Sequence, residues 1–457
     1  MTDNSFIFKK SLNKEVSNIK SSSRSTIIKN ENNKNNNNNS NILLKPLNKR
    51  EGLFKILSKN KILKNKNNKI INKDIKSIKN RNPGIDLVRI VAMYGIIINH
   101  ILFHGRAIKK YSMHDKLNLL HIFLFWHVNG FGLISGIVGY KTHKYSNLFY
   151  LWFCVFFYSV SIYLYFKIFY PNAMIKSKIY SEFFPVIFHK YWYFTNYFGL
   201  YLFIPIINIG IEYLTKNNLK LIIISIYGIY IIWHDFMNPQ FDAFKMKGGL
   251  SILWFLILYI TGAYFGKYKI HFKGIKNIIF CIICLFIFII ISLLCYYLPR
   301  YNLSNIQGYY IKKILLIIKK IYSMRCDSLP KIIQTISITL FLMNIKYNKY
   351  IGKIISFIGP LTFGVYLTHD NNYVRIYIIR NLFNRDPKEL SLNSAILLVL
   401  KKGFLIFIIC IIIDFMRNII FDIFKIKKIS IFLEKNVIKK LFKLSIILDI
   451  NINYFFL

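Results

Sequence analysis

From about residue 83 onward the chain alternates long apolar runs with short polar, mostly basic interruptions. Ten runs resemble membrane spans, at roughly 85–103, 119–140, 147–169, 192–213, 220–233, 250–266, 277–297, 331–345, 355–379 and 395–420. A helix rises about 1.5 Å per residue and has roughly 30 Å of hydrocarbon to cross, so about twenty apolar residues are the usual requirement. The fifth and eighth runs are short by that measure. The pattern predicts an all-α, polytopic bundle of about ten membrane-spanning helices over residues 83–420. An even number of spans returns the C-terminus to the side of the N-terminus. No internal repeat is visible, which weighs against the inverted-repeat transporters.

The flanks are different material. Residues 1–82 are rich in Lys, Asn and Ser and carry twenty basic against five acidic residues. Such a segment lacks the apolar content to fold alone and reads as a disordered tail. It has no short apolar core of a signal peptide at its start. A cationic tail just before the first span belongs on the cytoplasmic side, which places both termini there. Residues 421–457 read as a basic, amphipathic C-terminal tail.

Composition agrees: 54% of residues are hydrophobic and 18% charged, the profile of a multi-pass integral membrane protein. The net charge of +44 would suggest nucleic acid in a soluble protein. Here the lysines flank apolar runs and no basic stripe stands apart from a span, so no nucleic-acid partner is expected. Most of the six cysteines lie within apolar runs, as small hydrophobes do. Cys281 and Cys284 have redox-motif spacing but sit in an unbroken Ile/Phe/Leu run with no other ligand type beside them.

Against this background a few polar residues stand out. Arg89 and His100 both lie in the first span, where an ionisable side chain is costly and by default functional. Eleven steps of about 100° bring them to within about 20° of whole turns, so they share a face some 16 Å apart along the axis. Asp86, three residues before Arg89, can pair with it across one turn. In the second span His127 precedes Gly130, Gly132, Ser135 and Gly136, small residues whose ordinary use is close helix packing. The fourth span begins with Trp192, Tyr193 and Tyr197; Trp and Tyr at such a position are normally interfacial anchors. Asn196, Tyr197 and Asn208 are alternatives for lining a polar cavity. In the ninth, Tyr366 and His369 lie one turn apart on one face, and Asp370, the next residue, does not share it. Asp414 and Arg417 form another i, i+3 pair near the end of the last span.

Four of these segments together resemble the acyltransferase-3 family of integral membrane O-acyltransferases. The family's first helix carries Arg or Lys, ten intervening residues and His, which Arg89 and His100 match. Ile85-Asp-Leu-Val-Arg89 resembles the start of that helix, and Phe131-Gly-Leu-Ile-Ser-Gly136 is similar to its second-helix motif. Trp192, Tyr197, Leu200, Tyr201, Pro205 and Asn208 resemble its fourth-helix aromatic segment. Thr362-Phe-Gly-Val-Tyr-Leu-Thr-His369 looks like its late Tyr/His motif. The resemblance runs in order over about residues 83–420. An Arg-x-x-Arg loop motif carried by many bacterial members has no convincing counterpart here, and no hydrolase-like soluble domain is appended.

The resemblance implies transfer of an acetyl or other short acyl group from acyl-CoA, in the first instance acetyl-CoA, to a hydroxyl of a carbohydrate or lipid-linked acceptor. His100 would be the general base or a transient acyl carrier, Arg89 the group that holds a donor phosphate, and Asp86 the residue that fixes Arg89. Tyr197, Ser135, Tyr366 and His369 would contact substrate. No metal and no tightly bound cofactor are implied. The plasma membrane or an endomembrane is the expected location. A transporter or flippase for a small polar or glycolipid substrate would use the same polar stripe and is the rival reading; release of free CoA separates the two.

Overall fold

The computed structural model describes residues 82–438, apart from 112–114, 142, 174–178, 234–241, 243, 270–271, 304–307, 323–324 and 388. The N-terminal tail through residue 81 and the C-terminal segment from 439 lie outside the described residues. All described residues belong to one compact unit, Asn80–Leu457. It is helical, with no strand among the described residues.

Helix α1 is Pro83–Phe103. Its proline occupies the first turn, where a missing N–H costs nothing, and the Asn82 side chain caps Gly84 N–H at 2.9 Å. The second predicted span is two helices, α2 (Lys116–Leu124) and α3 (His127–Gly139), broken at Phe125–Trp126. Such a break inside a membrane needs its loosened backbone satisfied by neighbours. Here Ile122 O accepts from Lys331 Nζ and Gln334 Nε2, both at 3.1 Å.

Next come α4 (Tyr145–Phe169), α5 (Trp192–Tyr213), α6 (Lys216–Tyr227), α7 (Ile252–Lys267) and α8 (Ile275–Tyr297). A basic helix, α9 (Tyr309–Ile321), which the sequence pattern did not single out, buries none of its side chains. Helix α10 is Leu329–Asn344. The ninth predicted span is again broken, into α11 (Lys349–Ile358), a 3-10 turn at Gly359–Leu361 and α12 (Thr362–His369). Helices α13 (Leu392–Ile423) and α14 (Ile426–Leu433) complete the bundle.

Seven stretches among the described residues are long and apolar enough to cross a membrane, each broken pair counting as one. Helices α7 and α10 are apolar but only 16 residues long, and the expected 220–233 span is a 12-residue helix running into a π turn. The architecture is therefore the expected polytopic helical bundle, with seven full-length stretches where ten runs were read.

Helix α1 lies near the centre, packed against α2, α3, α10, α11, α12 and α13. By contrast α8 and α13 expose long apolar faces, including Ile282, Phe286, Phe404 and Ile412, as lipid-facing helices do. Gly132 and Gly136 of α3 are spent on packing. A Cβ on Gly136 would sit 1.9 Å from Tyr259 O, and one on Gly262 2.0 Å from Leu133 O, so α3 and α7 touch backbone to backbone. Asn129 ties the same region, accepting from Trp254 Nε1 at 2.9 Å and donating to Cys326 O at 2.6 Å.

Candidate active site

A cavity of about 410 Å³ lies against α1, enclosed by α3, α4, α5, the Gly359–Leu361 turn and α12. Arg89 and His100 both line it, so the face-sharing deduced from their spacing is realised inside the bundle. Phe131, Trp192, Tyr193, Tyr197, Phe363 and Tyr366 make the wall mostly aromatic, and Ser135, His127 and Asn147 add polar groups. Volume and lining are those of a small-ligand pocket with a few placed polar atoms.

Arg89 is held by Asp86, with Nη1 donating to Oδ1 at 2.6 Å. The Asp86 side chain is fully buried behind the wall, against Gly359, where a Cβ would come within 2.5 Å of it. The break between α11 and α12 thus occurs where the chain passes closest to the Asp86–Arg89 pair.

His100 occupies the last turn of α1. Its ring lies 5.1 Å from that of His369 and 5.0 Å from that of His104. Its Nδ1 faces Asp370 Oδ1 at 3.6 Å, and the same oxygen accepts from Arg375 Nη1 at 3.1 Å. Asp370 therefore faces His100, beyond hydrogen-bond distance, and not its chain neighbour His369. His369 is fully buried and turns Nδ1 to Val365 O at 2.6 Å. Tyr366, one turn earlier, reaches the cavity wall, and His369 packs behind His100.

Ser135 and Tyr197 both line the cavity, and Tyr197 lies within interaction range of Ser135 and Arg89. The aromatic start of α5 is thus wall and not interfacial anchor at Tyr193 and Tyr197. Asn196 and Asn208 are structural: Asn196 Nδ2 donates to Leu250 O at 3.1 Å and Asn208 Nδ2 to Gly139 O at 3.0 Å.

A polar relay beside the site was not legible beforehand. Asn99, next to His100, bridges His127 Nε2 at 2.6 Å and His121 Nδ1 at 3.0 Å. These imidazoles are thereby oriented, and only His127 reaches the cavity. Asp414 and Arg417 form a buried pair at 2.7 Å, with Tyr158 donating to Asp414 at 2.8 Å, and Gly364 of α12 packs onto that carboxylate. This pair anchors α12 from outside the cavity. Among the described residues no three His, Cys, Asp or Glu side chains converge as metal ligands.

No curated protein matches this chain, and no solved structure does. A family model described as an acyltransferase domain, that of the acyltransferase-3 family, matches residues 82–415. This is most of the chain and includes every cavity residue named above. The chain belongs to the acyltransferase-3 family and is an integral membrane acyltransferase.

Proposed function

We propose that the protein transfers an acetyl or other short acyl group from acyl-CoA to a hydroxyl of a carbohydrate or related, lipid-linked acceptor. The observation that carries this reading is the pairing, in one aromatic cavity, of a guanidinium held by Asp86 with an imidazole backed by Asp370. An imidazole with a free ring nitrogen suits proton transfer, and a guanidinium suits a phosphate.

With Nδ1 turned to Asp370, Nε2 of His100 takes the acceptor's hydroxyl proton. The acceptor oxygen then attacks the thioester carbonyl, the C–O bond forms and the C–S bond breaks. The CoA thiolate leaves with the proton returned from His100, giving free CoA thiol and an O-acyl ester. Arg89 holds a donor phosphate and Asp86 fixes Arg89. Tyr197, Ser135 and Tyr366 contact substrate across the cavity, and His369 buttresses His100. The thioester supplies the activated group, so no resident cofactor is required. Both termini lie on the cytoplasmic side, in the plasma membrane or an endomembrane.

The test uses protein in nanodiscs with radiolabelled acetyl-CoA. His100→Ala should abolish transfer and CoA release while leaving donor affinity nearly unchanged, because a general base typically contributes about 10²–10⁴-fold to rate. Arg89→Ala should weaken donor binding, and Arg89→Lys should recover part of it. Full transfer by His100→Ala at normal expression would refute the assignment. Acceptor movement without CoA release would point to transport.

A further inference from the structure

A second cavity, of about 400 Å³, begins one helical turn beyond His100, and the transfer step described above does not use it. Its wall is Phe103, His104, Arg106, Arg375, Ile376 and Arg380. The first three come from the end of α1 and the turn after it, and the others from the helical turns that follow α12. Three arginines on six positions is unusual for this chain. The sequence holds 11 arginines against 52 lysines, yet no lysine lines this cavity. General surface charge would have been drawn from lysine at about five to one.

The two cations differ in what they recognise. A lysine ammonium is a point charge, whereas a guanidinium presents a planar fork that matches carboxylate and phosphate in bidentate fashion. Among the described residues, neither Arg106 nor Arg380 pairs with a carboxylate of the protein. Burial, and then the charge of Arg375, hold the His104 imidazole below its ordinary value. Arg375 joins this cavity to the transfer site, since it donates at 3.1 Å to the Asp370 oxygen that lies 3.6 Å from His100.

We propose that this vestibule is an oxyanion subsite that seats a carboxylate or phosphate of the acceptor, so that the enzyme acylates anionic acceptors in preference to neutral ones. The inference rests on the reading of His100 as the base of transfer. Under that reading the donor's charged end sits at Arg89, about 16 Å back along α1. The cations beyond His100 are then left for the other substrate. An anion on Arg106, Arg375 and Arg380 sets the acceptor within reach of His100.

The test reads binding without turnover, in nanodiscs of zwitterionic lipid, with labelled methyl glucuronide and glucose 6-phosphate as anionic probes and methyl glucoside as the neutral one. Either anionic probe should bind saturably and the glucoside should not. Arg106→Gln and Arg380→Gln should each weaken that binding about tenfold or more, the scale of one lost charged hydrogen bond. The lysine variants should recover part of it, and acetyl-CoA affinity should stay within twofold throughout. Equal binding of charged and neutral sugars, or unchanged binding in the double glutamine variant at normal elution volume, would overturn the proposal. So would loss of acetyl-CoA affinity in that variant, which would give the vestibule to the donor. Saturable glucuronide binding by a protein that transfers to no acceptor would count against the proposed function and leave the subsite standing.

Discussion

Replacing Asp370 by asparagine removes a negative charge from behind His100 while keeping the side chain's shape and an oxygen for Arg375. At 3.6 Å and an effective dielectric near 20, a full charge on Asp370 would stabilise an imidazolium by about 4–5 kcal/mol. Arg375 sits 3.1 Å from the same oxygen and offsets part of that field, so the net effect should fall to about 1.5–3 kcal/mol. Because the imidazolium exists only as the proton moves, this loss should appear in kcat, as a fall of about ten- to 150-fold. The assay is single-turnover transfer from labelled acetyl-CoA, with donor affinity measured separately on the same preparation. A kcat within threefold of the parent, or a defect confined to donor affinity, would refute the role given to Asp370.

Asp414→Asn strips the charge from a buried pair and leaves Arg417 uncompensated, which should cost about 3–5 kcal/mol. Replacing both, as Asp414→Leu with Arg417→Met, should recover most of that loss in thermal melts followed by fluorescence-detected size exclusion; a tolerated single variant would contradict the anchoring role. Gly136→Ala forces a carbon to within 1.9 Å of Tyr259 O and should destabilise by at least about 1–3 kcal/mol. Gly210→Ala, with nothing within 4 Å of the added carbon, should be neutral or slightly stabilising by the same melts, and equal effects would dispose of the backbone-contact argument. Outside the spans, hydrogen bonds from Tyr296 and Asn118, and then Arg300, hold the Asp115 carboxyl below its usual value. The tie is complete above the ordinary carboxylate pKa of about 3.9 and is lost only as pH falls through the lowered value. The melting difference between parent and Asp115→Asn should therefore be small, under about 1 kcal/mol, and flat from about pH 8 to 5. A difference that grows or shrinks across that window would be inconsistent with this pairing.

What the sequence made legible was local. The shared face of Arg89 and His100, and the Asp86–Arg89 and Asp414–Arg417 pairs, follow from helical period, and all are realised. The glycines of α3 announced a close contact but not its partner, because the matching Gly262 lies on a helix 126 positions further along the chain. The partner of Asp370 was not legible for a similar reason. Adjacency to His369 rules out a shared face on one helix, while its actual partner, His100, comes from a different helix. The breaks at Phe125–Trp126 and Gly359–Leu361 were invisible to hydropathy, since both lie inside continuous apolar runs and depend on tertiary partners such as Lys331, Gln334 and Asp86. Tyr193 and Tyr197 could not be told from anchors until the cavity they face was known.

Helix α1 carries both Arg89 and His100 and is continuous between them, with its one proline in the first turn. Their separation is therefore fixed by helix geometry at about 16 Å, whatever the thickness of the surrounding bilayer or the movements of neighbouring helices. Under the proposed assignment α1 acts as a ruler. A donor must place its anionic head at one mark and its reactive carbonyl at the other, so the length of the linker between head and carbonyl becomes a selection made before any contact with the acyl group. Thioesters on a long flexible arm span the two marks, and the same acyl group on a short carrier does not.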